Sequence, residues 1–313
     1  MSIVVAVSDW LPGQWTAPLA AAASHRRIVT ADDVGDPAEV RYALAWKPAP
    51  GFLASLPNLE VVFSLGAGVD HLLADPALPD VPIVRIVDPD LTGRMTEWVV
   101  LQVLMHHRRQ RDYDRAQAAS RWTPLRQWAA RDVRVGIMGL GQLGRDAAEV
   151  LLRLGFDVAG WSRNPQDMDG VETFAGEDGL GAFLARTDIL VVLLPLTPAT
   201  RGILSKSLFE RLACDGVLGG PVLINAGRGG LQVESELVAA LGDGTLKAAS
   251  LDVFEAEPLP QSSPFWRMAN VTVSPHVAAD SDPALLARII VEQIEAYERG
   301  EGLKNLVDRA SGY

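Results

Sequence analysis

Short apolar runs alternate with longer, more polar stretches along most of this chain. Ile3–Val7, Tyr42–Trp46, Val61–Ser64 and Ile83–Ile86 read as buried strands, and Ala17–Ser24 and Gly51–Leu56 as helix. The alternation restarts near Arg134. Val133–Met138, Val158–Trp161, Ile189–Leu194, Val222–Asn225, Ala248–Asp252 and Val271–Val273 read as strands. Helices are predicted at Asp146–Leu154, ended by Gly155, and at Leu180–Arg186, Lys206–Arg211 and Glu234–Leu241. Pro283 suits the first turn of a long amphipathic helix, Pro283–Arg299. Strands alternating with helices predict parallel βα units.

The middle of the chain breaks the pattern. Glu97–His107 is apolar nearly all round, which predicts a helix buried on several sides. Arg108–Arg131 is Arg-rich, poorly periodic and carries Trp122 and Trp128; it reads as an exposed arm or a subunit contact. The fold class expected is α/β, with two Rossmann-like doubly wound parallel-sheet domains and a cleft between them. Residues 98–282 form the dinucleotide-binding domain, including the long helix and the arm. Residues 1–97 with 283–313 form a flavodoxin-like substrate domain.

Composition narrows the partners. The 313 residues suffice for two cored domains. A formal net charge of -11 argues against a nucleic-acid surface, although a local pocket can still be positive. The single cysteine, Cys214, excludes an intrachain disulfide framework and fits a reducing cytoplasm. With no basic neighbour it reads as a buried or inert thiol. The run from Met1 to Asp9 has no charged leader and reads as a first strand rather than a signal peptide. No apolar stretch approaches the ~20 residues of a membrane span, and no metal site is expected.

The chemistry concentrates at strand ends. Gly139-Leu140-Gly141-Gln142-Leu143-Gly144 follows a strand and opens a helix, the context in which this pattern holds a dinucleotide pyrophosphate on a helix N-terminus. About twenty residues on, an NAD site usually carries an acidic residue; here Ser162 and Arg163 stand instead. A hydroxyl and a guanidinium suit a 2′-phosphate, so NADP(H) is the expected preference, with NAD(H) possible. The alternative for Arg163 is a surface residue stacked on adenine. Leu194 and Pro195 end a further strand, where the cofactor crevice is lined.

Three later segments, Asn225-Ala226-Gly227-Arg228-Gly229, Leu251 to Pro258 and Ser274-Pro275-His276, supply a cation, a carboxylate and an imidazole after successive strands. Reducing a 2-oxo acid requires its carboxylate held, its carbonyl polarised and a proton delivered. The planar fork of Arg228 matches a carboxylate. His276 is the natural proton donor. Glu257 is the candidate partner that stabilises its imidazolium.

With these motifs the chain resembles the D-2-hydroxyacid dehydrogenases, closest to the glyoxylate/hydroxypyruvate reductase A type. Further matches are Leu65-Gly66-Ala67-Gly68-Val69-Asp70, Thr200-Arg201-Gly202, Ser263 to Arg267, Pro275 to Ala279 and the tail Val307–Tyr313. The resemblance implies Arg228, Glu257 and His276 as catalytic residues. The step of 29 residues from Arg228 favours Glu257 over Glu255. It implies that the backbone at Ala67 and Gly68 holds the substrate carboxylate and that Asp252 contacts the nicotinamide carboxamide. It groups Gln142, Leu143, Asn225 and Ala226 with the cofactor. Trp46 is a candidate pocket wall, with core packing the alternative. It also implies a homodimer through residues 98–130. The expected function is an NADPH-preferring reductase of glyoxylate and hydroxypyruvate, without nucleic-acid or membrane partners. The rivals are a corepressor-like, cofactor-sensing interaction protein and a reductase of bulkier 2-keto acids.

Overall fold

The computed structural model describes residues 2–8 and 10–312; Met1 and Asp9, which bound the run read as a first strand, and Tyr313, which ends the tail motif, lie outside the described residues. The chain divides into two units, Met1–Leu91 with Ser281–Tyr313, and Thr92–Asp280.

In the first unit the elements are β1 (Ser2–Val7), α1 (Gly13–Ala22), β2 (Arg27–Thr30), β3 (Val40–Trp46), β4 (Val61–Ser64), α2 (Asp70–Leu73) and β5 (Ile83–Val84). The five strands are all parallel in the order β2-β1-β3-β4-β5, the flavodoxin-like arrangement. β1, β3 and β4 are buried on both faces, as apolar runs require. Only one turn of 3₁₀ helix, Leu53–Ser55, forms where a helix from Gly51 to Leu56 was expected.

The second unit begins within α3 (Pro89–His107). Its first turn is capped by Asp88, whose carboxylate accepts the N–H groups of Asp90 and Leu91. Val99 and Val103 are fully buried on one face, while Leu101 is 53% exposed on the other. The helix is therefore not buried all round within one chain.

α4 (Gln110–Ala118) falls inside the arm predicted to lack an element. Hydrophobic periodicity misses it because ion pairs and hydrogen bonds hold it instead of an apolar stripe. Arg109 and Arg115 both pair with Asp112, and Gln110 bonds Asp114. Arg111 and Arg115 tie it to Thr272 and to the Ala269 carbonyl.

The rest of this unit runs β6 (Arg134–Met138), α5 (Gln142–Arg153), β7 (Asp157–Ser162), β8 (Glu172–Ala175), α6 (Gly176–Ala185), β9 (Ile189–Val192), α7 (Lys206–Phe209), β10 (Val222–Asn225), α8 (Glu234–Asp243), β11 (Ala248–Leu251) and β12 (Val271–Val273). The sheet order is β12-β11-β10-β9-β6-β7-β8, all parallel. β6 starts the winding and the chain reverses beside it. This is the dinucleotide-binding topology with one added strand. Back in the first unit, α9 (Pro283–Glu298) shares a core with α1 through Leu19, Leu286, Ile290 and Ile294.

The two strands missing from the sequence reading, β2 and β8, are both sheet edges. Edge strands mix exposed and buried positions and lack the apolar run of a central strand. Cys214 is exposed, which overturns the buried alternative of the buried or inert thiol expected from its neighbours. It sits in the short loop after α7, whose turns expose the residue beyond Ala213.

One buried contact sets an acid limit. His106 Nε2 lies 2.9 Å from Ser250 Oγ, and burial, with the Arg111 and Lys247 charges, pushes the ring's pKa down to about 4. The unfolded ring titrates near 6.5. The folded state thus binds fewer protons between these values, so stability falls as pH drops from about 6.5 to about 4, by on the order of 3 kcal/mol. Urea midpoints of the wild type are expected to fall across that window. Those of His106→Gln are expected to fall distinctly less.

Candidate active site

One rung of the large sheet organises the chemistry. Val273, Leu251, Asn225, Val192, Met138 and Trp161 stand in register across β12, β11, β10, β9, β6 and β7. Each candidate segment of this unit begins one residue later, on the C-terminal side. In sheet order these are Ser274–His276, Asp252–Glu257, Ala226–Arg228, Leu193–Pro195, Gly139–Gly144 and Ser162–Arg163. Five strand spacings separate the first from the last, about 24 Å along one edge.

At one end lies the acid–base pair. Nδ1 of His276 is 2.8 Å from Glu257 Oε2, and their side chains are 34% and 24% exposed. The other oxygen of Glu257 accepts the Phe254 N–H at 3.0 Å. Glu255 instead gives its N–H to Glu234 Oε1 at 2.8 Å. His276 adopts a positive φ of 56°, costly for a residue with a Cβ. Its N–H donates to the carbonyls of Asp252 and Ser274.

Asp252, 1% exposed, holds the same loop from below. Oδ1 accepts from Ser274 Oγ (2.6 Å) and the Val277 N–H (3.1 Å), and Oδ2 from the Ala278 N–H (2.9 Å). Asn225 serves the next loop in the same way. Its Oδ1 accepts the Gly227 N–H, and its amide donates to the Arg228 carbonyl and to Gln232 Oε1. Both side chains were expected beside the cofactor; within the chain they fasten the loops that carry His276 and Arg228. Half-buried Arg228 donates from Nη1 to the Gly227 carbonyl at 2.8 Å.

The glycine turn fits a dinucleotide. Gly139 has a φ of 109°, and a Cβ there would lie 2.9 Å from the Leu193 carbonyl oxygen. A Cβ on Gly144 would lie 1.9 Å from the Gly139 oxygen, so the helix can pack this closely only with glycine. At Gly141 a Cβ would meet nothing within 4 Å, leaving room for a ligand. α5 has no side-chain cap and no acidic residue in its first turn, so nothing from its own sequence competes with an anion. Gln142 is exposed and Leu143 half-buried in that turn. Ser162 Oγ donates to the Asn164 carbonyl at 2.7 Å, and Arg163 is exposed beside it. Leu194 is buried, its carbonyl oxygen 2.8 Å from where a Gly227 Cβ would stand. Pro195 accepts from Thr200 Oγ1, and buried Ala226 donates its N–H to Val192.

The other candidates lie in the first unit. Ser64 Oγ donates to the Gly66 and Gly68 carbonyls, shaping the turn through Ala67 and Gly68. Trp46 is 8% exposed and stacks on Trp10 with centroids 4.7 Å apart. A Cβ on Gly66 would fall 2.2 Å from its ring, so Trp46 is the packed floor of that turn.

Residues 100–278 match the D-isomer specific 2-hydroxyacid dehydrogenase, NAD binding domain. A glyoxylate/hydroxypyruvate reductase A from Yersinia enterocolitica is 41% identical over 285 residues, 89% of this chain and 90% of that protein. The chain belongs to the D-isomer specific 2-hydroxyacid dehydrogenase family. Among solved structures of this family, the NADPH-dependent glyoxylate/hydroxypyruvate reductase from Sinorhizobium meliloti, in complex with NADP and sulfate, is 49% identical with a TM-score of 0.96, covering 100% of both chains. A D-isomer specific 2-hydroxyacid dehydrogenase from Xanthobacter autotrophicus, in complex with NADPH and MES, is 44% identical with a TM-score of 0.94, covering 100% of this chain and 99% of that one.

Sequence reasoning missed several residues of this dehydrogenase that brace the site. Glu234 and Gln232 carry no signal beyond a polar residue near a motif. Gly229 and Ser274 stood inside quoted segments without a role.

Proposed function

We propose that this protein is an NADPH-preferring reductase of small 2-oxo acids, glyoxylate and hydroxypyruvate first. The observation that carries it is the His276–Glu257 pair, which shares one sheet edge with Arg228 and with a glycine turn suited to a pyrophosphate. Gly139 to Gly144, with Leu194, Pro195 and the backbone of Asn225, Ala226 and Asp252, would hold the cofactor. Ser162 and Arg163 would take its 2′-phosphate. When bound, the reduced nicotinamide cofactor would supply the hydride for C2 of the substrate. Arg228 holds the substrate carboxylate and polarises the carbonyl. His276 hands the proton to the carbonyl oxygen, while Glu257 orients the ring. The relatives named as reductases favour this reading over the corepressor-like one.

A homodimer through residues 98–130 and a cytoplasmic location complete the proposal. Leu101 is 53% and Trp122 is 98% exposed in that segment, apolar surface suited to a second copy. No helix among the described residues is long and apolar enough to cross a membrane.

A panel of 2-oxo acids assayed with both reductants tests the reading. Glyoxylate and hydroxypyruvate with NADPH are expected to give the highest kcat/KM, at least tenfold above NADH. A clear NADH preference would remove Ser162 and Arg163 from the phosphate site. Absence of turnover on every 2-oxo acid would overturn the reductase reading.

A further inference from the structure

Gln232 belongs to none of the roles above. It follows a short 3₁₀ turn, Gly229–Leu231, and is only 3% exposed. Its side chain joins two loops. Oε1 accepts from Asn225 Nδ2 at 3.1 Å, and that amide also holds the Arg228 carbonyl at 3.2 Å. Nε2 donates to the Val253 carbonyl at 3.2 Å and, more weakly, to Glu234 Oε1 at 3.4 Å. Glu234 in turn accepts the Glu255 N–H, and Glu257 accepts the Phe254 N–H.

Three consecutive residues, spanning two adjacent peptide units, are thereby gripped on the loop that carries Glu257. Val253 is held through its carbonyl by Gln232, Phe254 through its N–H by Glu257, and Glu255 through its N–H by Glu234. The two loops also meet backbone to backbone. A Cβ on Gly229 would stand 1.9 Å from the Phe254 carbonyl carbon and oxygen, so the residue after Arg228 lies directly on that peptide. Such contact fixes how close the loops come but leaves them able to slide. The Gln232 amide, bonded on both sides and buried, fixes their register. A buried amide that loses either partner leaves a polar group unsatisfied, so the network is held all together or not at all.

We propose that Gln232 is a positioning residue that sets the Arg228 anchor against the His276–Glu257 acid–base pair. The proposal rests on the reductase reading for its kinetic readout. It acts through Asn225 and Val253 and touches neither substrate nor cofactor.

The test compares wild type with Gln232→Leu and Gln232→Glu, under conditions where thermal unfolding scans find all three folded. Gln232→Leu keeps the approximate volume and removes all three side-chain hydrogen bonds. Its kcat/KM for glyoxylate is expected to fall about 10–100-fold, the scale of a small misplacement of reacting groups. The NADPH Kd, read by fluorescence titration, is expected to stay within about twofold, because the glycine turn lies on other strands. Gln232→Glu retains the acceptor for Asn225 but, when ionised, cannot donate to Val253. Burial and the adjacent Glu234 carboxylate raise the introduced acid above the usual carboxylate range, so the variant's kcat/KM relative to wild type is expected to rise as pH falls from 8 to 6 and the protonated acid regains the donor. A residue that merely stabilised the fold would lower Tm in both variants without that pH-dependent recovery. Wild-type kcat/KM in folded Gln232→Leu would overturn the proposal.

Oxalate affinity of the NADP-bound protein, measured by calorimetry, separates failure of this proposal from failure of the reductase reading. If the wild type turns over no 2-oxo acid, weaker oxalate binding in Gln232→Leu still supports the positioning role. Equal oxalate binding in that case overturns it.

Discussion

Replacing His276 with alanine is expected to lower kcat/KM for glyoxylate by about 10²–10⁴-fold, the usual contribution of a positioned acid or base. Reduction of a ketone leaves negative charge on oxygen, and the enzyme must neutralise it as it forms. His276 is built for that. Nδ1 is committed to Glu257 at 2.8 Å, which leaves Nε2 to hand on the proton. The carboxylate is held in turn by the Phe254 N–H, so the ring has one preferred orientation. The loop is braced by the Asp252 carboxylate on either side of a strained residue. Alanine removes the donor, while the Asp252 bonds that brace the loop stay in place. The loss should therefore appear in kcat, with the NADPH Kd unchanged by fluorescence titration. Near-normal turnover would reject the proton-donor role.

Arg228→Ala carries the second large effect, about 10²–10³-fold in kcat/KM, with KM raised and kcat lowered together. Losing one preorganised donor to developing charge costs about 3–4 kcal/mol. The same guanidinium also holds the substrate carboxylate, so ground-state binding is lost with it. Lysine should recover only part of this, because a point charge cannot reproduce the planar fork. Steady-state kinetics over a wide glyoxylate range separates the two constants. An unchanged kcat/KM would remove Arg228 from the site.

These expectations were legible in the chain to different depths. The central strands β3, β4, β6, β9, β10 and β11 were visible as apolar runs because both their faces are buried. The edge strands β2 and β8, with one side open, had no such run. α4 was invisible because Asp112, Arg109, Arg115 and Asp114 hold it through charge and polar contacts. The catalytic candidates stood out as reactive side chains directly after strands. Glu257 was separated from Glu255 by resemblance, while its geometry lies in the 2.8 Å contact with His276.

The alternation of apolar runs and polar stretches was enough to call for two parallel α/β sheets, and motifs directly after the strands supplied a glycine turn for a dinucleotide and three reactive side chains. That pattern records which face of each element leaves water. It does not record strand register, which alone puts Val273, Leu251, Asn225, Val192, Met138 and Trp161 on one rung. Nor does it record which peptide group a buried side chain reaches. Asp252 bonds residues 22 to 26 positions away, and Gln232 a carbonyl 21 positions away. Those partners are chosen only when the strands have packed, because a buried polar group takes whatever donor or acceptor the finished fold brings within 3 Å or so.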